Sequence, residues 1–412
     1  MPYNAAPAGQ RPRSRPTQAQ IYFNPFDPNL RANPYPIYRQ LLAAGTMRLE
    51  HPRPLAIVSR YAEVERVVRD HESFSSERTG QIAFQGLNLA PGAKNLLNSD
   101  PPLHSRLRRL LAGDFSPRRI QALTPFIDET IGRLLDQIEA KGQFDAVADL
   151  ANQLPVRVIA SLLGIEVERH AEFKRWSDAI ISSSGIDPSL PRPESALAAA
   201  ASIRGLFADA IEQRRRAPGT DLVSALVAVN QADQLEPEEL MSFLILLLLA
   251  GNETTTSLIG NGLLALGRHR EQLDRLRADA SLIGAAIEEV LRYDPPVQGT
   301  VRKVNHQIKL GKVELRPDDM VLLLLAAANR DPAQFTDPDR FNIERSPNPH
   351  LSFGAGIHYC LGAPLARLEA ARAIGALLQR FPRWRLADPE AQLSYKGSMF
   401  LRGLAALPCA IE

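Results

Sequence analysis

Residues 240–269 form one long helical pattern that is apolar along most of its length. A helix that is apolar on nearly every face is normally buried in the core of a protein. Its centre is different, because polar and β-branched residues are costly inside a buried helix unless they have a task. That centre reads Ala250-Gly251-Asn252-Glu253-Thr254-Thr255-Thr256. The sequence therefore predicts a core helix with a specialised middle.

The rest of the chain is also predominantly helical in pattern. Residues 117–280 have helical periodicity apart from a polar, breaker-rich loop at 182–194, and the stretches 79–98 and 331–350 indicate loops and turns. Asp100-Pro101-Pro102 predicts a helix start with Asp100 as its N-cap. Strand-like segments are few and short: Leu55–Ser59, Gln307–Leu310, Val321–Leu325 and Phe400–Leu404. We predict a mainly α fold with small β-sheets.

Composition limits the cellular setting. The net charge of +2 gives no reason to expect a nucleic-acid partner, and apolar runs are too short to predict a membrane span. Two cysteines in 412 residues exclude a disulfide framework and favour a reducing compartment, so we expect a cytoplasmic protein. Residues 1–20 contain four prolines, three arginines and no acidic residue, which predicts a disordered tail before a single domain over 21–412.

Cys360 lies in a glycine-rich turn just before a predicted helix over 363–379. The turn reads Phe353-Gly354-Ala355-Gly356-Ile357-His358-Tyr359-Cys360-Leu361-Gly362. N–H groups and the dipole at a helix start favour thiolate over thiol, and such a thiolate can ligate iron. The three glycines allow tight turns and the close approach of a flat ligand. The alternative is a buried structural cysteine beside a glycine-rich turn, as we interpret Cys409.

The centre of the long helix has two interpretations. The Thr254 hydroxyl can bond the carbonyl of Ala250 four residues earlier and so bend or open the helix. Glu253 would then lie beside an opening through which it could pass protons inward. Alternatively, the threonines form a helix contact and Glu253 is solvated. These residues alone leave both interpretations open.

Residues 353–362 resemble the haem-thiolate signature of the cytochrome P450 family, with His358 where that family carries Arg or His. The similarity extends from about Asn24 to the C-terminus. It implies the cytochrome P450 fold, an α-rich triangular prism with small β-sheets and a haem b buried between two long helices. Cys360 would be the iron ligand.

The resemblance also implies roles for other residues. Glu253 and Thr254 match the family's acid–alcohol pair. Glu289 and Arg292, just before Asp294-Pro295-Pro296, match a structural Glu-x-x-Arg pair that fixes the core near the cysteine loop. Cationic groups suit carboxylates buried at a cofactor edge, and the implied propionate ligands are His104, Arg108, Arg302 and His358. Further haem contacts would come from Ala250, Gly251, Phe353, Gly354, Gly356 and Gly362.

The implied reaction is monooxygenation, a hydroxylation or dealkylation of a small lipophilic substrate. Electrons would come from a separate ferredoxin and its reductase, with an acidic ferredoxin facing a basic patch of Arg106, Arg109, Arg118, Arg119 and Arg367. The substrate pocket is expected to draw on residues 79–98, 179–198, 246–250, 297–301 and 399–400.

Two other functions remain open alongside monooxygenation. A peroxygenase would take H₂O₂ and need no redox partner, but it would have no use for the Glu253-Thr254 pair. A non-catalytic haem-thiolate binding protein would need no proton relay either. A thiol enzyme without haem is disfavoured, because no separate His/Asn partner set is evident.

Overall fold

Helices make up most of the protein. In this computed structural model, the described residues are 21–411 except 22, 25–26, 28–29, 31, 50–54, 80–86, 88, 90–91, 184–189, 232–234 and 397–399. The predicted tail, parts of both long loops and Met399 lie outside them. The α-helices are α1 (Tyr35–Ala44), α2 (Tyr61–Arg69), α3 (Leu103–Ala112), α4 (Pro117–Gln121), α5 (Thr124–Glu139), α6 (Gln153–Leu162), α7 (His170–Ser183), α8 (Glu194–Arg216), α9 (Leu222–Gln231), α10 (Pro237–Arg268), α11 (Arg270–Ala278), α12 (Ile283–Tyr293), α13 (Leu325–Ala328) and α14 (Ala363–Arg380).

The strands are short and lie in small sheets. They are β1 (Met47–Leu49), β2 (Leu55–Val58), β3 (Phe74–Ser75), β4 (Gln143–Asp145), β5 (Thr300–Val304), β6 (Ile308–Leu310), β7 (Val313–Leu315), β8 (Met320–Leu323), β9 (Arg385–Leu386), β10 (Tyr395–Lys396), β11 (Gly403–Leu404) and β12 (Pro408–Ala410). The largest sheet has the order β1-β2-β8-β5-β3, with only β2 and β8 parallel. The predicted mainly α fold with small sheets is confirmed.

Helix α10 occupies the centre of the core. It begins with a capping box, in which the side chains of Glu236 and Glu239 bond each other's backbone N–H groups. By length and composition α10 could cross a membrane, but 67% of its most apolar 18-residue window is buried inside the protein, as expected of a core helix. It packs against α6, α8, α12 and α14. Gly262 permits the approach of α14, because a Cβ there would lie 2.9 Å from Ile374 Cδ1.

One predicted helix cap is wrong. Helix α3 begins at Leu103 with Pro102 in the N-cap position, and no side chain caps it. The Asp100 carboxylate instead accepts hydrogen bonds from the Ser75 hydroxyl (2.5 Å) and the Ser76 N–H (3.0 Å). The Ser75 hydroxyl and the Ser76 N–H, at the end of β3, therefore take the carboxylate that was expected to cap the helix. A local sequence pattern does not reveal this contact, because β3 lies elsewhere in the sequence.

Candidate active site

The cysteine loop, residues 353–362, is held in a conformation that needs glycine at two positions. Gly354 and Gly356 have positive φ angles of 68° and 66°. A Cβ on Gly356 would also lie 3.1 Å from Cα of Arg69, so the end of α2 abuts the loop. Gly362 has an ordinary φ of −82°, which other residues can also adopt. The Cys360 N–H closes the loop by donating to the Phe353 carbonyl at 2.9 Å.

Desolvation has the largest effect on the proton affinity of Cys360, which is half-buried. It raises the pKa of the thiol, and the N–H groups of Gly362 and Ala363, with the charges of Arg108 and Arg367, oppose it only in part. The N–H groups at the helix start act in the predicted direction, but desolvation outweighs them. A cation bound at the sulfur would reverse the balance, since a coordinating thiol is deprotonated. Cys409 is buried in β12 and burial raises its pKa to about 12, so it offers no thiolate.

The centre of α10 presents two different faces. The Thr254 hydroxyl donates to the Ala250 carbonyl at 2.6 Å, as predicted, although α10 continues without a break. On the other face, Asn252 donates to the Ser177 hydroxyl at 3.1 Å and Thr256 to the Ala151 carbonyl at 3.0 Å. Gly251 lies closer around the helix to Thr254 than to Asn252 or Thr256, and a Cβ there would lie 3.2 Å from Ile159 Cδ1.

Glu253 is buried, which excludes the alternative of a solvated glutamate. Its side chain is 3% exposed, and Oε1 lies 3.6 Å from Lys396 Nζ. Burial raises the pKa of Glu253, and the Lys396 charge opposes that rise. A carboxylic acid that holds its proton more firmly than usual can act as a proton donor near neutral pH.

Four cationic or ionisable groups interact beside the cysteine loop. The rings of His104 and His358 have centroids 4.3 Å apart. Burial lowers the pKa of His358 to about 3, with Arg302, His104 and Arg108 adding to the shift. Burial likewise lowers the pKa of Arg302 to about 10. Mutual repulsion of this kind is relieved when an anion binds among the groups.

The same cluster has unsatisfied hydrogen-bonding atoms. In the described part of the chain, both ring nitrogens of His104 and Nε2 of His358 are buried without a hydrogen-bond partner. Arg302 Nη1 donates to Thr79 Oγ1 at 3.1 Å and to the Val301 carbonyl at 2.8 Å. Buried polar atoms are rarely left without a hydrogen-bond partner. The free ring nitrogens of His104 and His358 therefore fit the propionate carboxylates of a haem whose iron would be bound by Cys360.

Glu289 and Arg292 form a fully buried ion pair. Arg292 Nε and Nη2 each donate to the Glu289 carboxylate at 2.8 Å, and both side chains are 0% exposed. Arg292 also donates to the carbonyls of Asn329, Pro338 and Arg340, at 3.0, 2.7 and 3.0 Å. The pair therefore anchors the irregular segment 329–342 to α12.

Sequence reasoning missed the partners that complete this network. Arg345 Nε lies 3.2 Å from Glu289 Oε2, and Asn348 donates to the same oxygen at 3.2 Å. Asn329 links the network to the cysteine loop, because it donates to the Ser352 hydroxyl at 2.8 Å. The segment Phe341-Asn342-Ile343-Glu344-Arg345 was the only sequence feature that pointed to these partners. The turns within 331–350 have no periodicity from which contacts could be predicted.

The predicted basic patch is smaller than expected. Arg367 is bound by the Glu288 carboxylate at 2.6 and 2.9 Å, and its guanidinium lies 4.5 Å from the centre of the Phe353 ring. Arg106 is paired with Glu239 at 2.7 Å. The three remaining members are exposed and form no ion pair among the described residues: Arg109, Arg118 and Arg119.

Three segments predicted to line the substrate pocket adjoin one another. The Thr79 hydroxyl donates to the Val301 carbonyl at 2.9 Å, and the Gln298 N–H donates to the Phe400 carbonyl at 2.8 Å. Residues 297–301 thus contact Thr79 on one side and Phe400 on the other. Their contact is the geometry that a shared pocket requires.

An α-rich fold with a half-buried cysteine presented by a glycine turn before a helix is typical of haem-thiolate proteins. The family model for Cytochrome P450 matches residues 46–403, and the chain belongs to that family.

Its curated relatives are bacterial enzymes. Mycinamicin IV hydroxylase/epoxidase of Micromonospora griseorubida is 44% identical, over 85% of this chain and 88% of the relative. Biotin biosynthesis cytochrome P450 of Bacillus subtilis is 39% identical, over 92% of this chain and 96% of the relative. The crystal structure of myxobacterial cytochrome P450 CYP267B1 with myristic acid has a TM-score of 0.85 at 37% identity, covering 94% of this chain and 98% of that one. The chain is thus a cytochrome P450 monooxygenase, and its family implies a haem cofactor.

Proposed function

We propose that this protein is a haem b-dependent monooxygenase that inserts one oxygen atom of O₂ into a small lipophilic substrate, by hydroxylation or dealkylation. The observation that carries the proposal is the convergence of Cys360, half-buried just before α14, with the unsatisfied imidazoles of His104 and His358. A bound haem would supply the iron at which O₂ is activated. Residues 21–412 would form the single catalytic domain.

The chain's own residues would hold the haem and manage protons. We assign Cys360 as the iron ligand, with the N–H groups of Gly362 and Ala363 directed at its sulfur. Glu253 would donate protons, and Thr254 would position the proton at the middle of α10. The propionates would be bound by His104, Arg108, Arg302 and His358, and the porphyrin would contact Ala250, Gly251, Phe353, Gly354, Gly356 and Gly362.

Glu289 and Arg292 are assigned a structural role. Their bonds to three carbonyls of the coil and, through Asn329 and Ser352, to the start of the cysteine loop support it. Removing one member of a fully buried ion pair leaves the other uncompensated, which costs about 3–5 kcal/mol. The pair would thus fix the position of Cys360 without taking part in chemistry.

A lipophilic substrate is supported by the adjoining pocket segments and by the relatives. The structure of CYP267B1 contains a fatty acid, and Mycinamicin IV hydroxylase/epoxidase is named for its oxidation of mycinamicin IV. We propose that the substrate of this chain is likewise mainly apolar.

Electrons would arrive from a separate ferredoxin and ferredoxin reductase in the cytoplasm. The exposed arginines Arg109, Arg118 and Arg119 would attract an acidic ferredoxin. We propose no membrane or nucleic-acid partner. The runner-up functions are an H₂O₂-dependent peroxygenase and a non-catalytic haem-thiolate binding protein, and the buried Glu253 beside Thr254 favours neither.

Two measurements test the proposal. A screen of lipophilic compounds against the haem-loaded protein, followed through the spin-state change of the haem spectrum, identifies ligands. Each ligand is then incubated either with ferredoxin, reductase and NADH or with H₂O₂ alone. Product formation that requires the electron-transfer proteins supports a monooxygenase. Product from H₂O₂ alone identifies a peroxygenase, and no product under either condition identifies a binding protein.

A further inference from the structure

A polar cleft leads from the protein surface to the carboxyl group of Glu253. It is lined by Asp178, Ile181, Ser182, Glu253 and Lys396. The Asp178 side chain is 42% exposed and that of Lys396 is 28% exposed, whereas that of Glu253 is 3% exposed. The cleft therefore brings partly exposed charged groups and a buried acid together.

The β10–β11 hairpin delivers Lys396 to this cleft. Lys396 is paired with Gly403 in the hairpin. Gly403 packs so closely on α10 that an added Cβ would lie 2.2 Å from the Ser257 hydroxyl and 3.6 Å from Glu253 Oε1. Because Gly403 has no side chain, the hairpin can pack directly against α10. This packing brings Lys396 Nζ to 3.6 Å from Glu253 Oε1.

Lys396 is held in place from a second direction. Its Nζ also donates to Asn152 Oδ1 at 3.4 Å. The other charged groups that act on Glu253 are Lys174 and Asp178 of α7, which pair with each other. Since that pair is nearly neutral as a unit, Lys396 is the one cation among these groups that acts on Glu253 without a paired acid of its own.

We propose that Lys396 is a positioning residue for the reaction, and that the cleft it lines is the route by which protons from solvent reach Glu253. The proposal rests on the assignment of Glu253 as proton donor. When Glu253 passes its proton inward, the carboxylate left behind is stabilised by the ammonium group of Lys396. Water in the cleft then relays a proton from hydronium or a buffer acid in bulk solvent to the carboxylate, so Glu253 and the relaying water end as they began and no electrons are exchanged.

The first test measures Glu253 directly in the haem-loaded protein. The infrared C=O stretch of its protonated carboxyl is isolated by subtracting the spectrum of Glu253→Gln, and is followed against pH. In Lys396→Met the midpoint of this titration should shift upward, because the opposing charge is lost. Lys396→Arg should keep the wild-type midpoint, and so should Lys309→Met, which removes an exposed lysine of β6. An unchanged midpoint in Lys396→Met would overturn the assignment of Lys396.

The second test concerns the cleft itself. Ser182→Phe should narrow the cleft without changing its charge, so the midpoint should stay while product per NADH falls and the solvent isotope effect on product formation grows. If Ser182→Phe leaves both quantities at wild-type values, the cleft is not the proton route. Because the infrared midpoint does not depend on turnover, failure of the proposed monooxygenase activity would leave the test of Lys396 intact.

Discussion

The imidazole rings of His104 and His358 lie side by side, 4.3 Å apart, where helix α3 meets the cysteine loop. Neither has a partner for Nε2 among the described residues, and both have lowered pKa values because they are buried. Arg108, one turn after His104, adds its charge to both rings. A site that gathers guanidinium groups beside imidazoles without hydrogen-bond partners is suited to a dianionic edge, such as two propionates.

Arg108→Leu is therefore expected to weaken haem binding. Loss of one hydrogen bond to a charged group costs about 1.5–3 kcal/mol, which corresponds to about 10- to 100-fold faster loss of haem. Transfer of haem to an excess of apomyoglobin measures this rate. Arg109→Leu is the matched control, because the neighbouring side chain is exposed. Equal rates of haem loss from the Arg108→Leu and Arg109→Leu proteins would show that the cluster does not bind the propionates.

Cys360→Ala should abolish the red-shifted Soret band of a reduced thiolate–CO complex. Cys360 is the half-buried cysteine whose sulfur faces the N–H groups of Gly362 and Ala363. The CO difference spectrum of the reduced protein checks this. Cys409 is a buried residue of β12, in the three-stranded sheet. The Cys409→Ala protein should therefore keep the band. A Cys360→Ala protein that keeps the band would disprove the assignment of the iron ligand.

Thr254→Ala should keep substrate binding but divert electrons from product into peroxide. The Thr254 hydroxyl is the group that bonds the Ala250 carbonyl on the unpacked face of α10. The ratio of product to NADH consumed, with peroxide assayed in parallel, measures coupling. Thr254→Ser should restore it. Thr256→Ala is the control on the packed face, since that hydroxyl bonds Ala151 instead. Unchanged coupling in Thr254→Ala would make Thr254 a helix-packing residue.

Glu369→Gln should stabilise the protein at neutral pH. Glu369 is buried in α14, its Oε2 has no hydrogen-bond partner among the described residues, and burial raises its pKa well above the ordinary 4.5. Since the folded pKa is raised, the folded protein binds the proton more tightly than the unfolded chain, and stability is lost as pH rises above the ordinary value. The loss is at most about 1.4 kcal/mol per pH unit.

The thermal midpoints of Glu369→Gln and wild type should therefore differ most near pH 7.5 and converge towards pH 4.5. Glu314→Gln, at an exposed position of β7, should show no pH-dependent difference. A constant gap for Glu369→Gln across this range would mean that the carboxyl does not keep its proton on folding.

Local patterns predicted the features that depend on local chemistry. Glycine at 354 and 356, the cysteine before a helix and the Thr254–Ala250 bond follow from neighbours in sequence. Partners from distant segments were not predictable in this way. The sequence does not show that the turns after 340 bring Arg345 to Glu289, or that a two-residue strand near the end of the chain brings Lys396 to Glu253.

Opposing effects were also hard to judge from sequence. The N–H groups before α14 do lower the pKa of Cys360, but burial acts against them more strongly. Asp100 has a suitable side chain and position for a helix cap, but its carboxylate accepts hydrogen bonds from Ser75 and Ser76 instead. In both cases a favourable local interaction is outweighed by a competitor that lies elsewhere in the fold.

Docking of an acidic ferredoxin should depend on Arg109 and Arg118. Both are exposed, whereas Arg367 is already paired with Glu288 and its reversal would disturb Phe353 instead. An exposed ion pair contributes about 0.2–1 kcal/mol, so each single reversal to Glu should slow reduction at low ferredoxin concentration by a few-fold at most. The double reversal should cost more at low salt and lose its effect at 1 M salt, where screening acts over about 3 Å.

The reduction rate against ferredoxin concentration, measured at two ionic strengths, checks this expectation. Arg216→Glu is a suitable control, because this side chain is 81% exposed but lies at the end of α8, outside the basic patch. If the double reversal and the control give the same low-salt rates, the patch is not the docking surface. If the purified protein turns over with NADH alone, it needs no ferredoxin. The proposals of a separate electron donor and of a docking patch would then both be wrong.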